Sequence, residues 1–227
     1  MNTNPRIAIT CLALVGWLAI GSRPGVRAEE ATTAPPPAAP SAGPAVKVPA
    51  PAPTHGQIDA GKPVDVASIY QLESRWTRAD GEKIALSSLR GKVRVLAIFY
   101  SSCEYACPII VGRMKSVQAA LPEAKRDDVG LVLISMDAAH DDPARLAEYA
   151  KRMELTGDWT LLHGSDGEVR ELAALLGFRY RLEQDGGYSH SNMVTVLDRE
   201  GRVNHQSIGL DTDVTDAVKA VTGLLGP

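Results

Sequence analysis

Cysteine is scarce in this sequence, with three residues in a chain of 227. Cys11 lies in an apolar run near the N-terminus, which leaves two cysteines, Cys103 and Cys107, for a folded domain. Because these two lie four positions apart, a bond between them would close a very short loop and add little stability through loop entropy. The sequence therefore excludes a small scaffold held together by disulfides, and the pair is expected to have a chemical function.

An excess of charge of one sign is also missing. The formal net charge is -3, and the lysines and arginines are scattered along the chain. This balance gives no indication of a nucleic acid or an anionic membrane surface as a partner. Hydrophobic residues make up 44% of the chain, which is enough for the core of one ordinary domain, and a monomer is the default expectation.

The apolar run near the N-terminus is too short for a typical membrane span. Residues 7–20 follow Arg6 and carry no charge, but a span requires roughly 20 apolar residues. Together with the small residues around Ala28, the run predicts a cleaved export signal over residues 1–28, with an uncleaved membrane anchor as the alternative. Since a twin arginine is absent, we expect the general secretory route and a location in the periplasm or at the outer face of the cytoplasmic membrane.

The rest of the chain divides into a linker and one domain. Residues 29–63 are rich in alanine and proline and predict an extended linker without a core. Residues 64–227 are expected to form the folded domain. Short apolar runs between turn residues predict extended segments at 72–77, 84–86, 93–100, 129–136, 159–162, 178–181, 193–197 and 202–206. Helical spacing and capping residues predict helices at 108–121, 143–153, 166–176 and 214–225.

This order of elements predicts an α/β domain with a central mixed sheet flanked by helices and an N-terminal β-hairpin. The strands at 93–100 and 129–136 are joined by a helix and should therefore be parallel, with a right-handed crossover. Because a cysteine motif follows the first of these strands at the turn into its helix, the expected fold is thioredoxin-like.

The motif Cys103-Glu-Tyr-Ala-Cys107-Pro108 puts two sulfurs near the start of a helix that proline is expected to open. A helix N-terminus favours thiolate over thiol, and thiolates exchange disulfides or bind a soft metal such as Cu(I). Side chains four apart on a helix lie about 5–6 Å apart, which is wide for a disulfide but suits two ligands of one metal ion. Both uses of the pair, as redox-active thiols and as metal ligands, stay open at this point.

His190 lies in a glycine-rich loop just before the strand at 193–197. In a thioredoxin fold this loop faces the cysteine motif and contains a cis-proline, but here no proline occurs between Pro143 and Pro227. Two thiolates and one imidazole form a ligand set suited to copper in either oxidation state. The loop is expected to close on a metal, and the alternative is a histidine that only makes a loop hydrogen bond.

Asp137 and Asp141 follow the strand at 129–136, at the edge of the sheet where open α/β folds carry their functional groups. These carboxylates are candidates for docking a partner or tuning the thiols, and the alternative is a helix-cap network in a solvated turn. His140 between them is expected to be an exposed loop residue. His163 and His205 have no neighbouring cysteine or carboxylate that singles them out, so we interpret them as structural.

Three segments together resemble the Sco/SenC family of copper-binding assembly proteins, over residues 72–210. They are Tyr100-Ser-Ser-Cys103-Glu-Tyr-Ala-Cys107-Pro108, Ile134-Ser-Met-Asp137 with the Asp141-Asp-Pro segment, and Tyr188-Ser-His190-Ser ahead of Val196-Leu-Asp198. The resemblance implies a thioredoxin-like fold and one copper per chain bound by Cys103, Cys107 and His190. It also implies export, often with a membrane anchor, and loading of the dinuclear copper centre of cytochrome c oxidase.

Two segments depart from the family pattern. The family usually has Asp-Pro where this chain has Asp137-Ala138, and the stretch before its histidine commonly contains a Val-Asp step, where this chain has Gly187-Tyr-Ser. The ligand set is intact, but the departures concern the surface toward a partner and therefore the identity of the client enzyme.

Two functions are compatible with this sequence. The first is a copper metallochaperone, not an enzyme, that passes copper from Cys103, Cys107 and His190 to a target such as the copper subunit of cytochrome c oxidase. The second is a thiol–disulfide oxidoreductase, in which Cys103 attacks and Cys107 resolves, acting on the cysteines of such a target or in redox sensing with a thiol reductant as partner. A peroxidase of the peroxiredoxin kind is disfavoured, because the threonine and arginine that such enzymes need around their cysteine are not found.

Overall fold

The computed structural model describes residues 56–61 and 67–226. The predicted export signal and most of the predicted linker, together with Cys11 and His55, lie outside these ranges. Residues 56–61, from the end of the predicted linker, contact the folded domain, since the Ile58 N–H donates to the His190 carbonyl (3.2 Å) and the Gly61 N–H donates to the Gly177 carbonyl (2.7 Å). Within the described ranges, every helix is too short or too polar to cross a membrane.

The described residues form nine strands and five α-helices. The strands are β1 Arg75–Arg78, β2 Lys83–Ala85, β3 Val93–Phe99, β4 Val129–Ser135, β5 Trp159–His163, β6 Tyr180–Leu182, β7 Tyr188–His190, β8 Met193–Leu197 and β9 Val203–Ile208. The helices are α1 Ala106–Ala120, α2 Glu123–Arg126, α3 Pro143–Arg152, α4 Asp166–Leu176 and α5 Thr215–Leu225, and two 3-10 turns lie at Ile69–Gln71 and Leu86–Leu89.

Seven of these strands form one mixed sheet in the order β2-β1-β5-β4-β3-β8-β9. Strands β3, β4 and β5 are parallel, whereas β1, β8 and β9 run antiparallel to their neighbours. The central strands β3 and β4 are buried at every position, as expected of parallel strands covered on both faces. The predicted mixed sheet and its N-terminal hairpin, β1 with β2, are confirmed.

Local capping signals explain where two helices begin and end. Asp142 caps α3, since its side chain accepts a hydrogen bond from the Arg145 N–H, and Pro143 occupies the first helical position. Ser165 and Glu168 form a capping box at the start of α4, which ends at Gly177 in a left-handed conformation (φ 70°). Because these signals are short-range, the sequence predicts both helices closely.

Helix α1 begins at Ala106, two residues earlier than predicted, so Pro108 does not open it. Proline is tolerated at this third helical position, because the N–H groups of the first turn have no partner within the helix. The earlier start places Cys107 inside the first turn and leaves Cys103 in the preceding loop.

The segment around His190 is a hairpin and not the expected glycine-rich loop. Strand β6 pairs antiparallel with β7, Tyr180 opposite His190, and Gly186 turns the chain with φ 84°. Gln57 forms a parallel bridge with His190 on the other side. His190 therefore lies at the end of a strand paired on both sides, which fixes its backbone.

Candidate metal centre

The cysteine loop joins the end of β3 to the start of α1 and holds both thiols under the surface. Cys103 is 9% exposed and Cys107 is fully buried, and both are free thiols in this structure. The Cys103 N–H donates to the Tyr100 carbonyl (3.2 Å), and the Cys107 N–H donates to the Cys103 sulfur (3.3 Å). The N–H of Cys107, in the first turn of α1, therefore points at the Cys103 sulfur.

The imidazole of His190 is held by its own segment. Its Nδ1 lies 3.0 Å from the Ser191 carbonyl oxygen, and because a carbonyl can only accept, Nδ1 carries the proton. In the neutral ring this leaves the lone pair on Nε2, as in most metal-binding histidines, whose second nitrogen donates to an oxygen. Phe178 stacks on the ring with centroids 6.2 Å apart.

The structure brings Cys103, Cys107 and His190 together, although the histidine lies far from the cysteines in the sequence. Their ligand atoms all lie within 4.8 Å of one another, and all three residues are buried. Among the described residues, this is the one group of three or more histidines, cysteines or carboxylates close enough to share a metal ion. Two thiolates and one imidazole fit a soft or borderline metal such as copper, and their role as ligands stays a prediction.

A wall of tyrosines borders the three residues, and the sequence interpretation missed it. The Tyr100 ring lies 5.2 Å from Tyr188 and 5.9 Å from His190, measured between centroids. Burial raises the pKa of Tyr100, which keeps its hydroxyl protonated as a hydrogen-bond donor toward Cys103. Their positions in the sequence could have indicated that these tyrosines lie near the site, since Tyr100 directly follows β3 and Tyr188 precedes His190 by two residues.

A family model described as SCO1/SenC matches residues 65–226, which is most of the chain. The chain belongs to the SCO1/SenC family. It is 28% identical to the SCO1 protein homolog of Bacillus subtilis (strain 168) over 165 residues, covering 68% of this chain and 84% of that protein.

Solved structures of the family share the fold. A SCO1/SenC family lipoprotein of Bacillus anthracis is 25% identical, with a TM-score of 0.61 over 70% of this chain and 96% of that one. ScoI of Bradyrhizobium japonicum, solved with copper bound, is 22% identical, with a TM-score of 0.56 over 66% of this chain and 96% of that one. The prediction of a thioredoxin-like fold is confirmed.

The two thiols of this family member have opposite electrostatic surroundings. Hydrogen bonds from the Cys107 thiol and from backbone N–H groups lower the pKa of Cys103 to about 3, although burial opposes this shift. Burial raises the pKa of Cys107 well above its usual range, and the hydrogen bond to Cys103 and its charge add to the effect. Cys103 is therefore the preformed thiolate, and Cys107 must release a proton before both sulfurs can bind one metal ion.

Selective alkylation tests this difference between the thiols. At pH 6, iodoacetamide is expected to modify Cys103 and leave Cys107 unmodified, because only the thiolate is nucleophilic and Cys107 is both protonated and fully buried. Peptide mass spectrometry gives the modified position. In protein unfolded in urea at pH 9, both cysteines should react, and equal labelling in the folded protein at pH 6 would contradict the assignment.

Asp141 anchors the cysteine loop from inside the protein. Its carboxylate is 1% exposed and accepts hydrogen bonds from the Ser101 N–H (2.8 Å), the Ser101 hydroxyl and the Ser135 hydroxyl (2.6 Å). Arg152 donates to the Ser101 carbonyl (2.9 Å), and Arg145 donates to the Ser101 hydroxyl (3.2 Å). Because Ser101 precedes Cys103 by two residues, this network positions the loop, and its burial keeps Asp141 from a partner surface.

Replacement of Asp141 by alanine is expected to destabilise the protein by about 3 kcal/mol or more, because it leaves buried donors without an acceptor. The adjacent Asp142→Ala is the matched control and should cost about 1 kcal/mol, since it removes only a helix cap. Urea unfolding gives both values. Equal losses for the two variants would show that the carboxylate of Asp141 has no special structural role.

Asp137 lies beside the tyrosine wall. Its carboxylate is buried and accepts hydrogen bonds from the Tyr188 hydroxyl (3.3 Å) and from Nδ1 of His140 (2.8 Å). It therefore contacts the surroundings of His190 without contacting the thiols through any hydrogen bond that the described residues show. Of the two other histidines in the described ranges, His163 has a buried Nδ1 without a hydrogen-bond partner, and Nε2 of His205 lies 3.1 Å from the Ser207 hydroxyl.

Proposed function

We propose that this protein binds one copper ion through the sulfurs of Cys103 and Cys107 and Nε2 of His190, and passes it to a target protein. The observation that carries the proposal is the convergence of these three ligand atoms within 4.8 Å. Membership of the SCO1/SenC family and the copper bound in the related ScoI support it. Copper is the cargo of such a protein, and transfer is an exchange of ligands.

The surroundings of the three residues suit reversible binding. The Ser191 carbonyl orients the His190 ring, and the Cys103 thiolate is formed before metal arrives. The proton on Cys107 must leave on binding and can return on release, so loading and unloading are coupled to one proton. Three protein ligands leave room for a ligand from the target, which permits transfer without a free ion.

The client that best fits the family is the dinuclear copper centre of cytochrome c oxidase. An export signal at residues 1–28 and a linker at 29–63 would place the domain in the periplasm or at the outer face of the cytoplasmic membrane, with reach toward a membrane-bound target. That a family relative is a lipoprotein supports attachment at a membrane surface. We propose the chain arrangement 1–28, 29–63 and 64–227 on this basis, with a single protomer as the active form.

The unequal thiols favour a second function, reduction of disulfides in the target. Cys103 is a thiolate at neutral pH and would attack a target disulfide, releasing one target sulfur as thiolate and forming a mixed disulfide. Cys107, once deprotonated, would then attack Cys103, releasing the second target sulfur and leaving a Cys103–Cys107 disulfide. A thiol reductant would have to restore the pair for another cycle.

Transfer of copper to a target separates the two functions. The reduced protein is loaded with one equivalent of copper, and two equivalents of it are mixed with the soluble copper-binding domain of a cytochrome c oxidase subunit, supplied with its cysteines already reduced. Stoichiometric transfer, followed by the absorption of the dinuclear centre, supports a metallochaperone. If the target gains no copper but an oxidised target is reduced by the same protein, the oxidoreductase is the correct function.

A further inference from the structure

His140 lies in the turn between β4 and α3, at the same edge of the sheet as the cysteine loop. Strands β3 and β4 end together, with Phe99 in register with Ser135. The His140 side chain is 76% exposed, whereas the Asp137 side chain beside it is 4% exposed. An exposed imidazole is thus attached to a buried carboxylate one turn away.

The contact with Asp137 fixes the orientation and the tautomer of the imidazole. Nδ1 of His140 lies 2.8 Å and 3.0 Å from the two carboxylate oxygens, which can only accept, so Nδ1 carries the proton. The lone pair of the neutral ring is then on Nε2, on a side chain open to solvent. A carboxylate bound to one nitrogen while the other faces outward is the arrangement that supports metal-binding histidines.

The contact between His140 and Asp137 is not explained by its contribution to the stability of the fold. A contact with such an exposed histidine contributes about 0–1 kcal/mol, whereas burial of a carboxylate is costly. The same carboxylate accepts from the Tyr188 hydroxyl, and Tyr188 packs on Tyr100, which packs on His190. Asp137 therefore joins an exposed imidazole to the wall of the three-residue site.

We propose that His140 is a loading ligand: its Nε2 binds a copper ion held by a small carrier and retains it until the ion reaches Cys103, Cys107 and His190. The carrier loses one ligand bond as the bond to Nε2 forms, and the bond to Nε2 breaks as the first thiolate binds. This inference rests on the proposed function and adds the residue through which copper arrives.

The rate of loading tests the proposal. Reduced full-length protein is mixed with Cu(II) supplied as its glycine complex, and the thiolate-to-copper absorption is followed by stopped flow. His140→Ala is expected to load about tenfold more slowly, in the range found when the surroundings of a metal site are altered, with unchanged final stoichiometry. Asp137→Asn, which keeps the histidine but removes the carboxylate, should give an intermediate rate. His205→Ala is the matched control and should load at the unaltered rate.

A second measurement tests whether His140 is a copper ligand, independently of the loading rate. In a Cys103→Ser, Cys107→Ser, His190→Ala variant, Cu(II) should still bind weakly and give the electron spin echo modulation of an imidazole nitrogen, and further replacement of His140 should remove it. Loading of His140→Ala at the unaltered rate, or a modulation independent of His140, would overturn the proposal. Failure of the proposed function would give a different result: the unaltered protein would not bind one copper tightly per chain, and the role of His140 would then be overturned as well.

Discussion

Replacement of His190 by alanine is expected to lower the affinity for Cu(II) by more than about 100-fold, because loss of a ligand costs more than the 10–100-fold typical of its supporting partners. The loss of affinity should depend on the oxidation state of the copper. Cu(II) prefers nitrogen ligands in its set, whereas Cu(I) can be held by the two thiolates alone. Competition against a chelator of known affinity gives both constants, and the loss for Cu(I) should be clearly smaller.

His205→Ala is the matched control for this experiment. Its Nε2 lies 3.1 Å from the Ser207 hydroxyl, and among the described residues it is not part of the group that could share a metal ion. The affinity for Cu(II) should therefore be unchanged. An equal loss in both variants, or an unchanged affinity in His190→Ala, would remove the histidine from the site and favour the oxidoreductase.

Replacement of either Cys103 or Cys107 by serine is expected to weaken copper binding by at least 1,000-fold, which corresponds to about 4 kcal/mol. A serine hydroxyl is not ionised at neutral pH and is a hard oxygen, so it does not replace a thiolate toward Cu(I). Titration with a Cu(I) chelator is the measurement. The reductase activity should be lost in both variants as well, because it requires the pair.

Two controls make this result interpretable. Cys11→Ser removes the cysteine that lies outside the predicted domain and should leave binding unchanged. Because Cys107 is fully buried, its variant must also be shown to unfold at a similar urea concentration. A folded single-serine variant that still binds copper tightly would contradict a site with two sulfurs.

The parts of the fold that follow short-range rules could be predicted from the sequence. The buried strands β3 and β4 are mostly apolar, with Arg94 in β3 and Ser135 at the end of β4 as exceptions, and α3 and α4 carry their caps within a few residues of their ends. The hairpin of β6 and β7 could not be predicted as readily. Its strands have three residues each and depend on tertiary contacts, such as the bridge from Gln57 and the ring of Phe178 against His190.

The candidate site also has features that could be predicted from the sequence and features that could not. The spacing of Cys103 and Cys107 and the position of His190 before β8 were enough to predict that the three residues converge. The function of Asp141 was not predictable, because its partner Ser101 lies 40 residues away and the contact exists only once β3 and β4 end side by side. The contact of His140 with Asp137 is local, since the two residues are three apart, but the sequence does not show that the Asp137 carboxylate is buried.

The measurement that tests the central claim most directly is X-ray absorption at the copper edge of the reduced protein loaded with one equivalent. The site of Cys103, Cys107 and His190 predicts two sulfur scatterers and one imidazole nitrogen per copper, with one copper per chain. The same spectrum of His190→Ala should keep the sulfurs and lose the imidazole contribution. A copper surrounded by nitrogen and oxygen alone, or the failure of the reduced protein to retain copper, would contradict the account.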